Sequence, residues 1–294
     1  MSLKRSRDGS PEENERDGKR AKASEPAITK DEHQLSYPSP SSTNPPTKSP
    51  PFQQPTQLLT FSYSPTRDLL FDDSALRYYV LPPQGAKLSY GYDKWVRRGV
   101  EEEKGRVDSL LRALCRIKEG KGQGGEVGKE RVEGLGVVCW RGVLTKILTA
   151  PYSEERDDWE LNVMNVGGTL YFEEFVSDER VKEKQAMQTY YGYAFESYCT
   201  SDTPRRNSDA ADSTVPFGWS GDVNNNVQWC SVIRTKLGNT RILIGGEVDC
   251  VRDKYTGQPD TFVELKTSLT IRGPHDEARF EKSVSICCYP TAQR

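Results

Sequence analysis

The residues best suited to chemistry lie between Glu247 and Lys266, in the segments Glu247-Val-Asp249 and Glu264-Leu-Lys266. Side chains of an extended strand alternate faces, so Glu247 and Asp249 share one face while Val248 and Cys250 point the other way. The same alternation puts Glu264 beside Lys266, with Val263 and Leu265 opposite. The intervening Asp253-Lys-Tyr-Thr-Gly257-Gln-Pro259-Asp260 is rich in turn formers, which predicts a hairpin that gathers these carboxylates and the ammonium. Carboxylates brought together at partial burial raise one another's free energy unless a cation neutralises them. Mg²⁺ or Mn²⁺, one ion or two, suits an all-oxygen set, bridges to a substrate phosphate and activates water. Lys266 would orient that water or offset charge on the phosphoryl oxygens. The same alternation also describes a plain hairpin with one face in solvent, so other segments must decide between the two.

A second element is Gly192-Tyr-Ala-Phe195-Glu196, near the end of a helix expected from about Asp178 to Cys199. Asp178 is a good N-cap, and Val181, Met187, Tyr190, Ala194 and Tyr198 supply much of an apolar stripe. Gly192 precedes Glu196 by one turn on the same side, where a missing side chain would admit another backbone or a ligand. A third element, Cys139-Trp140-Arg141-Gly142, follows the apolar Val137-Val138. An Arg at that strand end, facing the carboxylates, suits a phosphate clamp through its planar fork of donors. Taken singly, Glu196 and Arg141 equally describe surface residues.

Taken in order, Trp140-Arg141-Gly142, Gly192-Tyr-Ala-Phe-Glu196, Gly246-Glu247-Val-Asp249 and Glu264-Leu-Lys266 resemble the motifs of the DXO family of RNA 5′-end processing enzymes. Thr145-Lys-Ile-Leu-Thr-Ala-Pro151-Tyr152 and Trp159-Glu-Leu161 extend the likeness, which runs from about Gln57 to Lys282. The family includes decapping exoribonucleases and fungal nuclear proteins that partner a 5′–3′ exoribonuclease. The resemblance implies metal-binding roles for Glu196, Glu247, Asp249 and Glu264, with the Leu265 carbonyl as a further ligand. It also implies that Lys266 and Arg141 contact the scissile phosphate. The implied activity is removal of pyrophosphate from 5′-triphosphate RNA and of whole cap nucleotides from incompletely methylated caps, with nicotinamide-adenine dinucleotide caps as an extension. A different class of function, a non-catalytic stabilising partner of the exoribonuclease, fits the same resemblance. The Asp249 and Glu264-Leu-Lys266 pattern is also that of DNA nucleases, but Arg141 and the Gly192–Glu196 element favour the RNA-end family.

The likeness stops near the C-terminus. Family members continue into a helix with an active-site Gln and then a strand with a Gly-x-Arg motif. This chain instead reads Arg279-Phe-Glu-Lys282 followed by Ser283-Val-Ser-Ile-Cys287-Cys288-Tyr-Pro-Thr-Ala-Gln293-Arg294. Gln293 is no substitute, because its surroundings lack a helical pattern and Pro290 would interrupt one. The change has the character of a retained intron or a shifted frame, and a chain ending there would expose a sheet edge and apolar surface.

The elements that must position these residues read as a single α+β domain, with mixed, mostly antiparallel sheets flanked by helices. Residues 1–56 are rich in Ser, Pro, Lys, Arg and Glu and form a disordered head; 57–282 form the catalytic domain, and 283–294 an atypical tail. The head carries Lys4-Arg5 and Lys19-Arg20-Ala-Lys22, which resemble a bipartite nuclear import signal and, with the family, indicate a nuclear protein. Glu101 to Ile117 reads as a helix with Leu110, Leu111, Leu114 and Ile117 on one face. Trp159–Val163 with Leu170–Phe172, and Val227–Ile233 with Arg241–Leu243, read as hairpins, the second leading into Glu247. Asp202 to Pro216 reads as a polar insertion.

Composition narrows the chemistry. A net charge of -2 rules out a generally basic nucleic-acid binder, so RNA affinity must come from a local groove. Seven Cys without a C-x-x-C pair, and no hydrophobic leader, indicate free thiols in a reducing compartment and no membrane attachment. Only His33 and His275 occur, which leaves little room for histidine-rich zinc centres or Ser-His nucleophiles. Gly120-Lys-Gly-Gln-Gly124-Gly125 lacks the Gly-Lys-Ser/Thr ending of a phosphate loop, does not clearly open a helix, and reads as a surface loop.

Overall fold

The computed structural model describes residues 49–122, 125–152, 159–183, 187–206, 214–268 and 270–287. In chain order its strands are β1 (Phe52–Tyr63), β2 (Leu69–Leu70), β3 (Tyr78–Tyr79), β4 (Val137–Trp140), β5 (Glu160–Val166), β6 (Thr169–Phe175), β7 (Thr200–Ser201), β8 (Gln228–Leu237), β9 (Thr240–Glu247), β10 (Cys250–Val251) and β11 (Phe262–Val263). The α-helices are α1 (Val100–Glu103), α2 (Asp108–Lys118), α3 (Gly125–Glu130), α4 (Arg141–Thr149), α5 (Asp178–Glu183), α6 (Met187–Cys199) and α7 (Pro274–Cys287). Among the described residues the larger sheet has the order β2-β1-β8-β9-β4-β6-β5, and the smaller β11-β10-β3-β7. The fold is α+β, as the sequence indicates.

Both predicted hairpins form. β8 and β9 pair antiparallel around Gly238-Asn239, and β5 and β6 around Gly167-Gly168, with Gly167, Gly168 and Gly238 at positive φ. The helix expected over Glu101–Ile117 is split. α1 ends at Glu103, and Gly105 at φ 62 turns the chain before α2, a backbone region that a residue with a Cβ rarely adopts. α2 then buries Leu110, Ala113, Leu114 and Ile117 against Leu58 and Phe61 of β1, Val138 of β4, Val232 of β8 and Leu243 of β9. Each such fully buried aliphatic side chain contributes about 1.5–3 kcal/mol, so this contact fixes the sheet from which the reactive residues emerge.

Three further expectations change. The segment from Asp178 to Cys199 is two described helices, α5 and α6, with residues 184–186 outside the described set. Gly125 does open a helix, α3, where Glu126 in the first turn suits the positive end of the dipole. The stretch through Cys287 is helical too: Pro274 and the acidic Asp276 and Glu277 make a favourable first turn for α7, and the Arg272 backbone N–H donates to Asp276 Oδ2 at 3.2 Å. The expected disordered head is shorter than 56 residues, because Phe52 already begins β1 and pairs with Leu237 of β8. Pro290 and Gln293 lie outside the described residues, as do residues 1–48 of the head and residues 207–213 of the polar insertion.

The chain passes from the larger sheet to the smaller one between β9, which ends at Glu247, and β10, which starts at Cys250. Trp229 of β8 packs with Val248, Val251 and Ala75, and its indole N–H donates to Asp73 Oδ1 at 2.9 Å. α6 is held separately, by Tyr190 and Ala194 packed with Trp95 and Val223. Among the described residues no helix is long and apolar enough to cross a membrane.

Candidate active site

Parallel pairing of β4 with β9 places Trp140 opposite Gly245, so Arg141, the first residue of α4, leaves the sheet beside Gly246. Two glycines make this possible. A Cβ on Gly245 would lie 2.8 Å from the Trp140 ring, and one on Gly246 would lie 3.3 Å from Arg141 Cβ. The Trp140 indole N–H donates to the Arg106 carbonyl at 3.0 Å, which anchors the ring from the opposite side. The packing reason for Gly246 is this close approach of Arg141.

β9 ends at Glu247, yet the alternation persists: Val248 and Cys250 are buried, Glu247 is exposed and Asp249 half-buried. β10 and β11 pair antiparallel, Cys250 with Val263 and Val251 with Phe262, which forms the expected hairpin in shorter form. Glu264–Lys266 therefore lie just beyond the strand rather than on it. The Leu265 backbone N–H donates to Asp249 Oδ2 at 2.6 Å and ties the two arms together.

Charge in this cluster is unevenly compensated. Arg141 donates through both terminal nitrogens to Glu264, at 2.8 Å to Oε2 and 3.1 Å to Oε1, and Lys266 Nζ lies 2.5 Å from Oε1. Burial pushes the Glu264 carboxyl up, but these two cations outweigh it and hold the group below its ordinary value. Glu196 behaves oppositely. Burial first, then the Asp249 and Glu247 carboxylates, drive it well above the usual range, and the field of Lys266 offsets this only in part. Burial and the Glu264 and Glu247 carboxylates push Asp249 up to about 6, against the Leu265 hydrogen bond. Among the described residues no basic side chain forms an ion pair with Glu196, Glu247 or Asp249.

The four acids thus share one electrostatic field, although among the described residues no three Asp, Glu, His or Cys side chains already form a group that could enclose an ion. The donor set is all oxygen, and two of its members, Glu196 and Asp249, are disfavoured as anions by burial and by neighbouring carboxylates. Both properties match Mg²⁺ or Mn²⁺. Gly192 does not provide the close approach expected of it, since a Cβ there would meet only Thr267 Oγ1, at 3.8 Å.

Sequence reasoning missed the cavity beside the cluster. It encloses about 650 Å³ and is lined by Arg67, Arg98, Arg106 and Arg112, by the acids Asp68, Glu101, Glu102, Asp108 and Glu247, and by Trp140 and Gln228. Arg67 is stacked over the Tyr63 ring, 3.6 Å from its centroid, and Gln228 donates through Nε2 to Glu247 Oε2 at 2.5 Å. The β8–β9 register, which pairs Cys230 with Glu247, is the signal that could have revealed Gln228, two residues from Cys230 on the same face. A smaller cavity, about 230 Å³, adjoins Glu196, Glu247 and Asp249.

Residues 53–289 match the family model described as RAI1 like PD-(D/E)XK nuclease. This chain belongs to that family. Among RAI1-like relatives, the Decapping nuclease RAI1 of Mycosarcoma maydis is 40% identical over 283 residues, covering 80% of this chain and 55% of its own. The Decapping and exoribonuclease protein of Bos taurus is 36% identical over 274 residues, covering 87% of this chain and 65% of its own. The chain therefore spans less than two thirds of the length of these curated relatives. The structure of Candida albicans Rai1 in complex with pU5-Mn²⁺ superposes with TM-score 0.66 at 28% identity, over 82% of this chain and 66% of that one. Scheffersomyces stipitis Rai1 in complex with (3′-NADP)⁺ and calcium ion superposes with TM-score 0.64 at 25% identity, over 80% of this chain and 66% of that one.

Proposed function

We propose that this chain acts as a divalent-cation-dependent hydrolase of RNA 5′ ends, through a catalytic domain over residues 57–282. It would remove pyrophosphate from triphosphate ends and whole cap nucleotides from incompletely methylated caps, with nicotinamide-adenine dinucleotide caps as an extension. The observation that carries this reading is a carboxylate cluster in which burial and neighbouring acids destabilise the anions of Glu196 and Asp249, beside a cavity where Arg67, Arg98, Arg106 and Arg112 stand among acids that include Glu247. The first feature calls for a cation, and the guanidinium groups of the second offer donors to phosphate oxygens. The pU5 and Mn²⁺ bound by the Candida relative, and the nicotinamide dinucleotide bound by the Scheffersomyces relative, have the same two chemistries.

Glu196, Glu247, Asp249 and Glu264 would hold the ion, together with the Leu265 carbonyl. Once bound, Mg²⁺ or Mn²⁺ supplies Lewis acidity at the phosphate and lowers the pKa of a water. The protein supplies the rest. The Arg141 fork and the Lys266 ammonium would bind non-bridging phosphate oxygens and offset the charge that develops on them during hydrolysis. To do so they must exchange part of their hold on Glu264, a half-exposed pair in which that exchange costs little. Arg67 and Arg98 would anchor flanking phosphates in the cavity, and the carboxylates serve as ligands rather than independent acids and bases.

The test is the 5′ product of triphosphorylated RNA incubated with Mn²⁺ and the purified chain or its Glu264→Gln variant. Pyrophosphate release by the parent alone supports the reading; release by both, or by neither from folded protein, contradicts it. We further propose nuclear action beside a 5′–3′ exoribonuclease, which the family resemblance and the basic clusters Lys4-Arg5 and Lys19–Lys22 support. A pull-down with such an exoribonuclease should succeed equally with the parent and the Glu264→Gln variant.

A further inference from the structure

We propose that Gln228 is a positioning residue that couples the phosphate-binding cavity to the carboxylate cluster, through an Arg67–Gln228–Glu247 relay. The inference rests on the cation and phosphate roles proposed above. Arg67 Nη1 donates to Gln228 Oε1 at 2.6 Å, and Gln228 Nε2 donates to Glu247 Oε2 at 2.5 Å. An arginine can only donate and an ionised carboxylate can only accept, so the amide has one permitted orientation. Turned over, it would set its NH₂ against a guanidinium and its carbonyl against a carboxylate. Gln228 is buried, so its two bonds are not readily replaced by water.

Both ends of the relay are constrained independently. Arg67 adopts φ 70, a left-handed conformation that costs a residue with a Cβ about 1–3 kcal/mol and persists only where its surroundings enforce it. Its surroundings do so: the Arg67 N–H donates to the Ser64 carbonyl at 2.9 Å, Nη1 also donates to the Asn226 carbonyl at 3.0 Å, and the guanidinium lies over Tyr63. The donors of Arg67 not used on Gln228 and Asn226 remain for a phosphate in the cavity. At the other end, the Glu247 backbone is fixed in the β8–β9 ladder opposite Cys230. Gln228 closes the gap between two rigid supports, and thereby holds one oxygen of Glu247 while its partner oxygen serves the cation. Outer residues that orient metal-binding carboxylates in this way typically change metal affinity by about 10–100-fold.

The experiment is calorimetric titration of Mn²⁺ into the full chain and its Gln228→Met, Arg67→Met and double variants, each first checked for a cooperative melt. Methionine keeps the volume of Gln228 and removes both hydrogen bonds. Loss of about tenfold in Mn²⁺ affinity in either single variant, with the double variant no weaker than the worse single one, supports a relay acting as one unit. In turnover of triphosphorylated RNA, Gln228→Met should lower kcat while leaving KM near the parent's, which a merely structural role would not separate. Parent-like Mn²⁺ affinity in folded Gln228→Met, or losses that add in the double variant, overturns the relay alone. A parent that binds no Mn²⁺ overturns the relay together with the proposed function. If Gln228→Met does not melt cooperatively, the Arg67→Met titration decides the question, because that residue lies farther from the cluster and parent-like affinity there excludes the coupling.

Discussion

Two corners of one site behave in opposite ways. At Glu264 the protein provides its own cations, and Arg141 and Lys266 hold the carboxylate below its ordinary pKa. At Glu196 and Asp249 burial and neighbouring acids push the carboxylates up, with no basic partner among the described residues. On the proposed reading the first corner handles the charge of a phosphate, whose oxygens would take over the bonds of Arg141 and Lys266. The second would attract a cation. The difference teaches that the electrostatics of a site are set by burial and immediate partners rather than by the nearly neutral net charge of the chain.

Substitutions at the second corner should break the comparison most visibly. Glu196→Gln and Asp249→Asn should each lower RNA 5′-end hydrolysis by more than about a hundredfold and raise the melting temperature at neutral pH without added metal, since a disfavoured anion is removed. A melting temperature lowered by both would show that the repulsion is not what the burial implies. Glu264→Gln, by contrast, should lose activity without that gain in stability, because its pairing is half-exposed and worth at most about 1 kcal/mol.

Arg141→Lys probes the first corner. It keeps the charge but loses the planar fork, and initial rates should fall by roughly a hundredfold with the melt little changed. Rates within twofold of the parent would mean that the fork is not used. Gly245→Ala should cost about 1–3 kcal/mol in denaturant unfolding, because its Cβ would meet the Trp140 ring that stands before Arg141.

A pH series separates the corners again. Asp249 titrates at about 6 in the folded chain, against roughly 3.9 when unfolded. Between those values the folded state binds the proton more tightly, so this group's contribution to stability falls as pH rises through the window. Glu264, held low, contributes stability that is present at neutral pH and lost on acidification below its unfolded value. Stabilisation of the melt by Mn²⁺ should accordingly be larger at pH 7.5 than at pH 5, and equal shifts would contradict the assignment. The smallest effect belongs to Gly192→Ala, which meets only Thr267 Oγ1 at 3.8 Å and should stabilise α6 by about 0.5–1 kcal/mol with activity unchanged.

What was legible in the sequence follows from the range of the forces involved. The alternation of Glu247, Val248, Asp249 and Cys250 is a period-2 property of the backbone and survives even where the strand ends. The β8–β9 hairpin, with Gly238-Asn239 between alternating apolar residues, is equally local. Gln228 and Arg67 were illegible because their meaning depends on a contact between residues 161 positions apart. The roles of Gly245 and Gly246 required the parallel β4–β9 pairing, which no local pattern announces. The break between α1 and α2 was missed because an apolar stripe over Leu110–Ile117 says nothing about Gly105 just upstream, and the helix at Pro274–Cys287 was missed because its apolar periodicity is weak while its first turn is favourable.

Glu196 and Asp249 are proposed to hold a divalent cation, whereas Glu264 already has Arg141 and Lys266 as partners. The most direct test is Mn²⁺ binding by calorimetry to the parent, Asp249→Asn and Arg141→Met chains at neutral pH. The parent should bind saturably, Asp249→Asn should lose at least about tenfold in affinity, and Arg141→Met, where Glu264 is freed, should bind as tightly or more tightly. Binding unaffected by Asp249→Asn, or abolished by Arg141→Met in folded protein, would contradict this division of roles.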